Sequence, residues 1–149
     1  MNTHAITSPA ELQSPTVEQA AAQPQGAVSG WPRALLRAEG ALALVAALVA
    51  YRYLGASWGV FAALFLVPDL SLLGYLAGPR AGALTYNAAH SYLGPASLAL
   101  AGLAVPQLLP FAMIWVAHVG FDRALGYGLK YARAFGATHL GTVGRAAAR

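Results

Sequence analysis

A chain of 149 residues with 58% apolar and only 9% charged side chains departs from soluble globular domains, in which about a quarter of residues are charged. The absence of cysteine excludes a disulfide framework, a thiolate nucleophile and a zinc–thiolate site. Nine Lys and Arg against five Asp and Glu give a net +4, and the apolar content excludes disorder over most of the length. The class that remains is a multi-pass membrane protein.

Residues 1–32 differ from the rest. They hold Pro9, Pro15, Pro24 and Pro32 among Ala, Gln, Ser and Thr, and their charged side chains are Glu11 and Glu18 alone. Such a stretch buries too little apolar surface to offset its ordering entropy, so it reads as a disordered tail that packs against nothing. It lacks the basic start and apolar run of a signal peptide.

From Arg33 onward whole windows are apolar, without a 3.6-residue stripe, which places the helices in a bilayer. A spanning helix needs about 20 mostly apolar residues. Four windows fit: 35–54, 57–77, 82–105 and 108–125. Gly55-Ala56-Ser57, Gly78-Pro79-Arg80 and Val105-Pro106-Gln107 separate them, and Gly126-Tyr127-Gly128 ends the last. Connections this short predict an all-α, up-down-up-down four-helix bundle over residues 33–131, followed by a basic tail at 132–149. Arg33, Arg37, Arg80, Arg123, Lys130, Arg133 and Arg145 fall on one side of that bundle and Arg52 on the other. The asymmetry predicts cytoplasmic N- and C-termini. It also makes the bilayer and its anionic headgroups the expected partners and leaves nucleic acid without support.

Ionisable residues at membrane depth each need a reason. The first window carries Glu39, the second Asp69, the third Asn87 and His90, and the fourth His118, Asp122 and Arg123. At 1.5 Å per residue, Asp69, His90 and His118 all lie roughly 11–12 Å from the cytoplasmic end. Glu39 and Asp122 lie roughly 5 Å deep, and Arg123 is shallow enough to snorkel to headgroups or to meet Glu39. His118 and Asp122 are four apart and share a helix face. Pro68, beside Asp69, frees a carbonyl near Leu64 and predicts a kink there. Gly74 and Gly78 form a G-x-x-x-G spacing that permits close helix approach, while Ser71 and Tyr75 read as packing.

Two imidazoles with carboxylates suit a divalent metal, and metal-bound water is a nucleophile for hydrolysis. Asp69, His90, His118 and Asp122 are therefore candidate catalytic residues and metal ligands, with His139 as a third imidazole if the segment after the last helix folds back. Without metal, the same groups could relay protons across the membrane. They could also serve only as hydrogen-bonding glue between helices.

The motifs from Leu35 to Gly144 resemble the bacterial membrane family catalogued as domain of unknown function 4260. The resemblance rests on Pro68-Asp69-Leu70-Ser71 with Gly74-Tyr75, on Gly82-Ala83, on Tyr86-Asn87 with His90, and on Ala117-His118. It continues through the block from Phe121-Asp122-Arg123 to Leu129-Lys130-Tyr131 and closes with Phe135, Thr138-His139-Leu140-Gly141 and Gly144. It implies a small four-helix inner-membrane protein, marks the same polar residues together with His139, and implies no substrate. The expected activity is a metal-assisted hydrolase of lipid-like substrates; the alternatives are a proton or ion transport component and a non-catalytic membrane partner.

Overall fold

The computed structural model describes residues 25–143. The disorder expected for residues 1–24, and the end of the basic tail at 144–149, lie outside the described residues. Five α-helices follow in order: α1 (Gly30–Tyr53), α2 (Trp58–Leu64), α3 (Pro79–Ala89), α4 (Leu93–Ala104) and α5 (Leu109–Leu125). A 3-10 helix (Val67–Ala77) lies between α2 and α3, and a short one (Pro106–Leu108) leads into α5. Two two-residue strands, β1 (Ala137–Thr138) and β2 (Gly141–Thr142), form an antiparallel hairpin. The fold is therefore mostly helical, with a minor β element that the all-α expectation did not include.

Among the described residues, three stretches are long and apolar enough to cross a membrane: Gly30–Tyr53, Trp58–Ala77 and Pro106–Leu125. Their surroundings match that role, because large aliphatic side chains point outward. Leu76 is 88% exposed and Leu42 69%, an arrangement that water disfavours and lipid tails favour.

The second and third windows are not the uninterrupted α-helices expected. In the second, α2 stops at Leu64 and the chain resumes as a 3-10 helix from Val67. Pro68 has no N–H to continue the α ladder, so the chain tightens, and the Asp69 amide donates to the Leu66 carbonyl at 3.1 Å. In the third, the 82–105 window divides at His90-Ser91-Tyr92 into α3 and α4. Pro95 accounts for this break, since its ring clashes with the carbonyl four residues back, at Ser91. Neither half alone is long enough to cross a hydrocarbon core of about 30 Å.

Packing is by antiparallel pairs. Along α1 and α5, Arg37 donates to the Ala124 carbonyl (2.9 Å), and Gly40 lies against Gly120 and Arg123. The 3-10 helix meets α3 where Gly74 accommodates Thr85 and Gly82 accommodates the Tyr75 ring. Thr85 Oγ1 donates to the Ser71 carbonyl at 2.8 Å. Only Gly74 of the G-x-x-x-G pair is a close-approach site; Gly78, at φ +109°, turns the chain before α3 and has nothing packed upon it. Gly102 and Gly94 receive Leu109 and Trp115, which seats α4 on α5.

Both edges of the bundle were misplaced by composition. Residues 25–32, assigned above to the tail, are part of the fold: α1 begins at Gly30, and Val28 donates to the His139 carbonyl at 2.7 Å. Tyr131 and Arg133 donate to the carbonyls of Gly26 and Gln25. The chain after Gly126 also folds back, as its 132–143 portion does not trail as a tail. Leu140 and Thr138 are fully buried, and Lys130 bridges to Thr138. Backbone and aromatic partners, which composition does not register, hold both segments.

The α1–α5 crossing sets a test. A Cβ on Gly120 would lie 2.7 Å from the Leu44 nitrogen and 2.8 Å from the Gly40 carbonyl oxygen, both backbone atoms that cannot move aside cheaply. Gly120→Ala is expected to destabilise the detergent-solubilised protein by at least about 1–3 kcal/mol. Gly59→Ala, whose Cβ meets only Ser57 Oγ at 3.4 Å, should not destabilise it. Equal melting temperatures for the two variants would contradict the close crossing.

Candidate metal centre

The site forms where the broken third window meets α5. A helix that breaks leaves carbonyls without amide partners, and among apolar surroundings each must find another donor. Here both donors come from α5: Trp115 Nε1 donates to the Ala89 carbonyl at 2.6 Å, and Arg123 Nη2 donates to the His90 carbonyl at 2.8 Å. Arg123 Nη1 donates to the Tyr127 carbonyl at 2.8 Å. Arg123 is thus buried, with 8% exposure. It does not snorkel to headgroups, and it forms no ion pair with Glu39. Its task is to satisfy two carbonyls at chain reversals.

Trp115, His118 and Asp122 lie on one stripe of α5, three and four residues apart. Fixing Trp115 and Arg123 to the break therefore turns His118 and Asp122 toward His90. His90 Nε2 lies 3.1 Å from His118 Nε2, 3.3 Å from Asp69 Oδ1 and 3.5 Å from Asp122 Oδ2. His118 Nε2 lies 3.7 Å from Asp69 Oδ1. One donor atom from each of the four residues lies within 4.8 Å of every other. Both imidazoles are fully buried, whereas the Asp69 side chain retains 39% exposure.

The His90 tautomer follows from its partner. Its Nδ1 lies 3.0 Å from the Tyr86 carbonyl oxygen, which can only accept, so Nδ1 carries the proton. Nε2 then presents a lone pair to the other three ligating groups. Tyr86, one turn before His90, stacks its ring on the imidazole at 3.7 Å and donates its hydroxyl to Asp122 Oδ2 at 3.2 Å. Phe65 packs edge-on against His118 at 5.4 Å. Tyr86 is a residue that reading by ionisable groups passed over; its i, i+4 spacing to His90 was the available signal.

Three other candidates lie outside the cluster. Asn87 clamps the returning chain, accepting from the Lys130 amide at 2.6 Å and donating to the Lys130 carbonyl at 2.9 Å. His139 does fold back, yet its Nδ1 accepts the Leu129 amide proton at 2.7 Å and is not a third imidazole of the cluster. Glu39 lines a separate cavity of about 350 Å³ with Arg123, His139, Ser91 and Tyr92. Lys130, read from the sequence only as one of the basic residues that set orientation, is 7% exposed. It donates to the Phe135 carbonyl at 2.9 Å and lies 3.8 Å from the Phe135 ring centroid. Burial lowers its ammonium pKa, which the carboxylates of Asp122 and Asp69 partly oppose.

Fold and site together define a helical protein with membrane-length apolar helices and an internal cluster of two histidines and two aspartates. Residues 33–143 match the model of the family described as Domain of unknown function (DUF4260), and the chain belongs to that family. No curated protein and no solved structure matches the chain.

The returning segment has a defined pH response. Burial, and secondarily the Arg123 charge, hold the His139 pKa below its ordinary 6.5. Protonating Nδ1 also forfeits the bond from Leu129. The folded form therefore binds fewer protons than the unfolded one, so the His139 contribution is complete above pH 6.5 and declines as pH falls below that value. Hydrogen exchange at Leu129, corrected for its intrinsic rate, should accelerate below pH 6.5 in the wild type and show no such step in His139→Gln. A step retained in the variant would contradict the assignment.

Proposed function

We propose that Asp69, His90, His118 and Asp122 hold one divalent cation and that the protein is a metal-assisted hydrolase acting on a lipid-like substrate. The observation that carries this reading is the donor geometry. Ligands 2.0–2.2 Å from a tetrahedral ion are about 3.3–3.6 Å apart; four of the six pairwise separations here run from 3.1 to 3.7 Å, and all six are within 4.8 Å. The charge supports it too. Two carboxylates face two imidazoles, and among the described residues no Lys or Arg forms an ion pair with Asp69 or Asp122. Two carboxylates this close, one of them largely buried, repel one another unless a cation offsets them, and a divalent ion brings the set to neutrality.

Two imidazole nitrogens with two carboxylate oxygens suit zinc, iron or manganese. Four protein ligands fill a tetrahedral ion, so water would enter only by expansion to five ligands or by release of Asp69, the most exposed of the four. An ion so opened would lower the pKa of that water toward neutrality and polarise a substrate carbonyl. The chain supplies the rest. The Tyr86 carbonyl fixes the His90 ring, and the Tyr86 hydroxyl fixes Asp122, in the manner of the outer partners that orient metal ligands. Asp69 is the exposed member, and its second carboxylate oxygen is left to accept the proton of an attacking water.

Proton relay is the second reading, favoured by the Tyr86 hydroxyl bond to Asp122 and by the approach of His90 Nε2 to His118 Nε2 at 3.1 Å and to Asp122 Oδ2 at 3.5 Å. A non-catalytic membrane partner is the third, in which these bonds act as glue alone. We place the protein in the bacterial inner membrane as an up-down-up-down bundle with both termini cytoplasmic, on the strength of its Lys and Arg distribution, with anionic headgroups as partners of the outer arginines. Reporter fusions at residue 149 and in the 105–109 loop should then report opposite sides, and the same side for both would refute the four-span order.

Metal analysis tests the site. Wild-type protein purified in detergent should carry about one transition-metal ion per chain. Asp69→Asn preserves shape and should leave the melting temperature of the metal-free protein nearly unchanged while sharply lowering occupancy. His118→Ala and Asp122→Ala together should be little worse than either alone, because both remove the same ion. Wild-type protein without metal, or full occupancy in Asp69→Asn, would remove the proposal.

A further inference from the structure

Away from the metal cluster, the cavity of about 350 Å³ that Glu39 lines is built from four separate parts of the chain. Leu36, Glu39 and Ala43 come from α1, Tyr92 from the break before α4, Arg123 from α5 and His139 from the returning segment. Gly40 permits this convergence, because a Cβ there would collide with the Arg123 Cβ.

The polar groups around this space are not partnered with one another. Among the described residues Glu39 forms no ion pair and no side-chain hydrogen bond, and the Tyr92 hydroxyl has no partner either. His139 Nδ1 accepts the Leu129 amide proton at 2.7 Å, so in the neutral ring Nε2 carries the hydrogen and is left to donate. Arg123 spends two of its five N–H groups on the Tyr127 and His90 carbonyls. Glu39 and Tyr92 are exposed and His139 is partly so, which leaves them within reach of a ligand. A cavity with several convergent polar groups is the usual form of a small-molecule site.

Charge selects the ligand. Glu39 puts one negative charge on the wall and Arg123 one positive charge, with His139 in the field of Arg123 and Tyr92 in the field of both. A simple cation would be opposed by Arg123 and a simple anion by Glu39, whereas a zwitterion complements both. Leu36 and Ala43, three and four residues to either side of Glu39, set it in an apolar strip of a membrane-length helix. This is the end of α1 that carries Arg33 and Arg37, the level at which lipid headgroups lie.

We propose that this cavity binds a phosphoethanolamine group, its primary ammonium on Glu39 and the Tyr92 hydroxyl oxygen and its phosphate on Arg123 and His139 Nε2. Glu39 and Tyr92 accept N–H hydrogens, which a quaternary ammonium does not have. A phosphatidylethanolamine headgroup and free phosphoethanolamine share this chemistry. The site stands apart from the four-residue cluster and does not depend on metal there.

Native mass spectrometry of the full chain in detergent counts bound lipid and tests the site. The probes are phosphatidylethanolamine, phosphatidylcholine and phosphatidylglycerol with identical acyl chains, and soluble O-phosphoethanolamine. Phosphatidylethanolamine should be retained as a single copy under conditions that strip the other two. Glu39→Gln should weaken its binding at least about tenfold, the scale of one charge-assisted hydrogen bond, and leave the other lipids unaffected. Since Glu39 has no internal partner, Glu39→Gln should melt with the delipidated parent, which separates binding from folding.

Equal retention of the three lipids shows annular lipid alone and overturns the proposal. So does full retention of phosphatidylethanolamine by Glu39→Gln, or a lower melting temperature for that variant, which would assign Glu39 to the fold. Displacement of the lipid by O-phosphoethanolamine supports the site and makes the group itself the determinant, whatever its source. Selective lipid binding that O-phosphoethanolamine does not displace supports it as a site for the bilayer lipid.

Discussion

A backbone break inside an apolar bundle must be repaired by donors from elsewhere, and in this protein that repair assembles the site. The turn at His90-Ser91-Tyr92 that Pro95 imposes takes the Leu93 and Gly94 amides out of the ladder, leaving the Ala89 and His90 carbonyls without amide partners. Trp115 and Arg123 supply the missing donors from eight residues apart on α5. Two fixed points along one helix determine both its rotation and its height. His118 and Asp122, between them on the same stripe, are delivered to His90 as a consequence. A lysine in place of Arg123 could not reach two carbonyls with a rigid planar fork.

The other elements close around that arrangement. Gly40 and Gly120 let α1 approach α5 at backbone contact, and the 3-10 helix, begun by Pro68, carries Asp69 to the open edge of the cluster. The segment after α5 returns over Tyr86 and Asn87. The bidentate Asn87 clamp and the buried Lys130 hold it there. Tyr86 thus touches three parts of the molecule: the His90 ring, the Asp122 carboxylate and, at 4.8 Å, the Lys130 ammonium. Its position explains how positioning, charge and closure of the site are linked through one α3 side chain.

Composition and depth along the chain were sufficient to expose the apolar spans and to single out Asp69, His90, His118 and Asp122, because ionisable groups stand out sharply against an apolar background. The same reasoning failed where the relevant groups are backbone carbonyls. Arg123 looked free to snorkel because its partners, the carbonyls of His90 and Tyr127, leave no mark in residue type. Pro95 did mark the break, but its neighbours Gly94 and Ala96 blend into an apolar run. Residues 25–32 and 132–143 read as tails for a related reason: they are held by main-chain bonds, and polar composition alone does not distinguish an anchored loop from a free one.

The central claim is that four side chains from the 3-10 helix, the α3–α4 break and α5 share one cation. X-ray absorption at the metal edge of the zinc-loaded, detergent-purified protein addresses it most directly. The account predicts a shell of nitrogen and oxygen ligands at about 2.0–2.2 Å, with an outer imidazole signal for two histidines that falls to one in His118→Ala. A spectrum of hydrated zinc without the imidazole signal, or one that His118→Ala leaves unchanged, would contradict it.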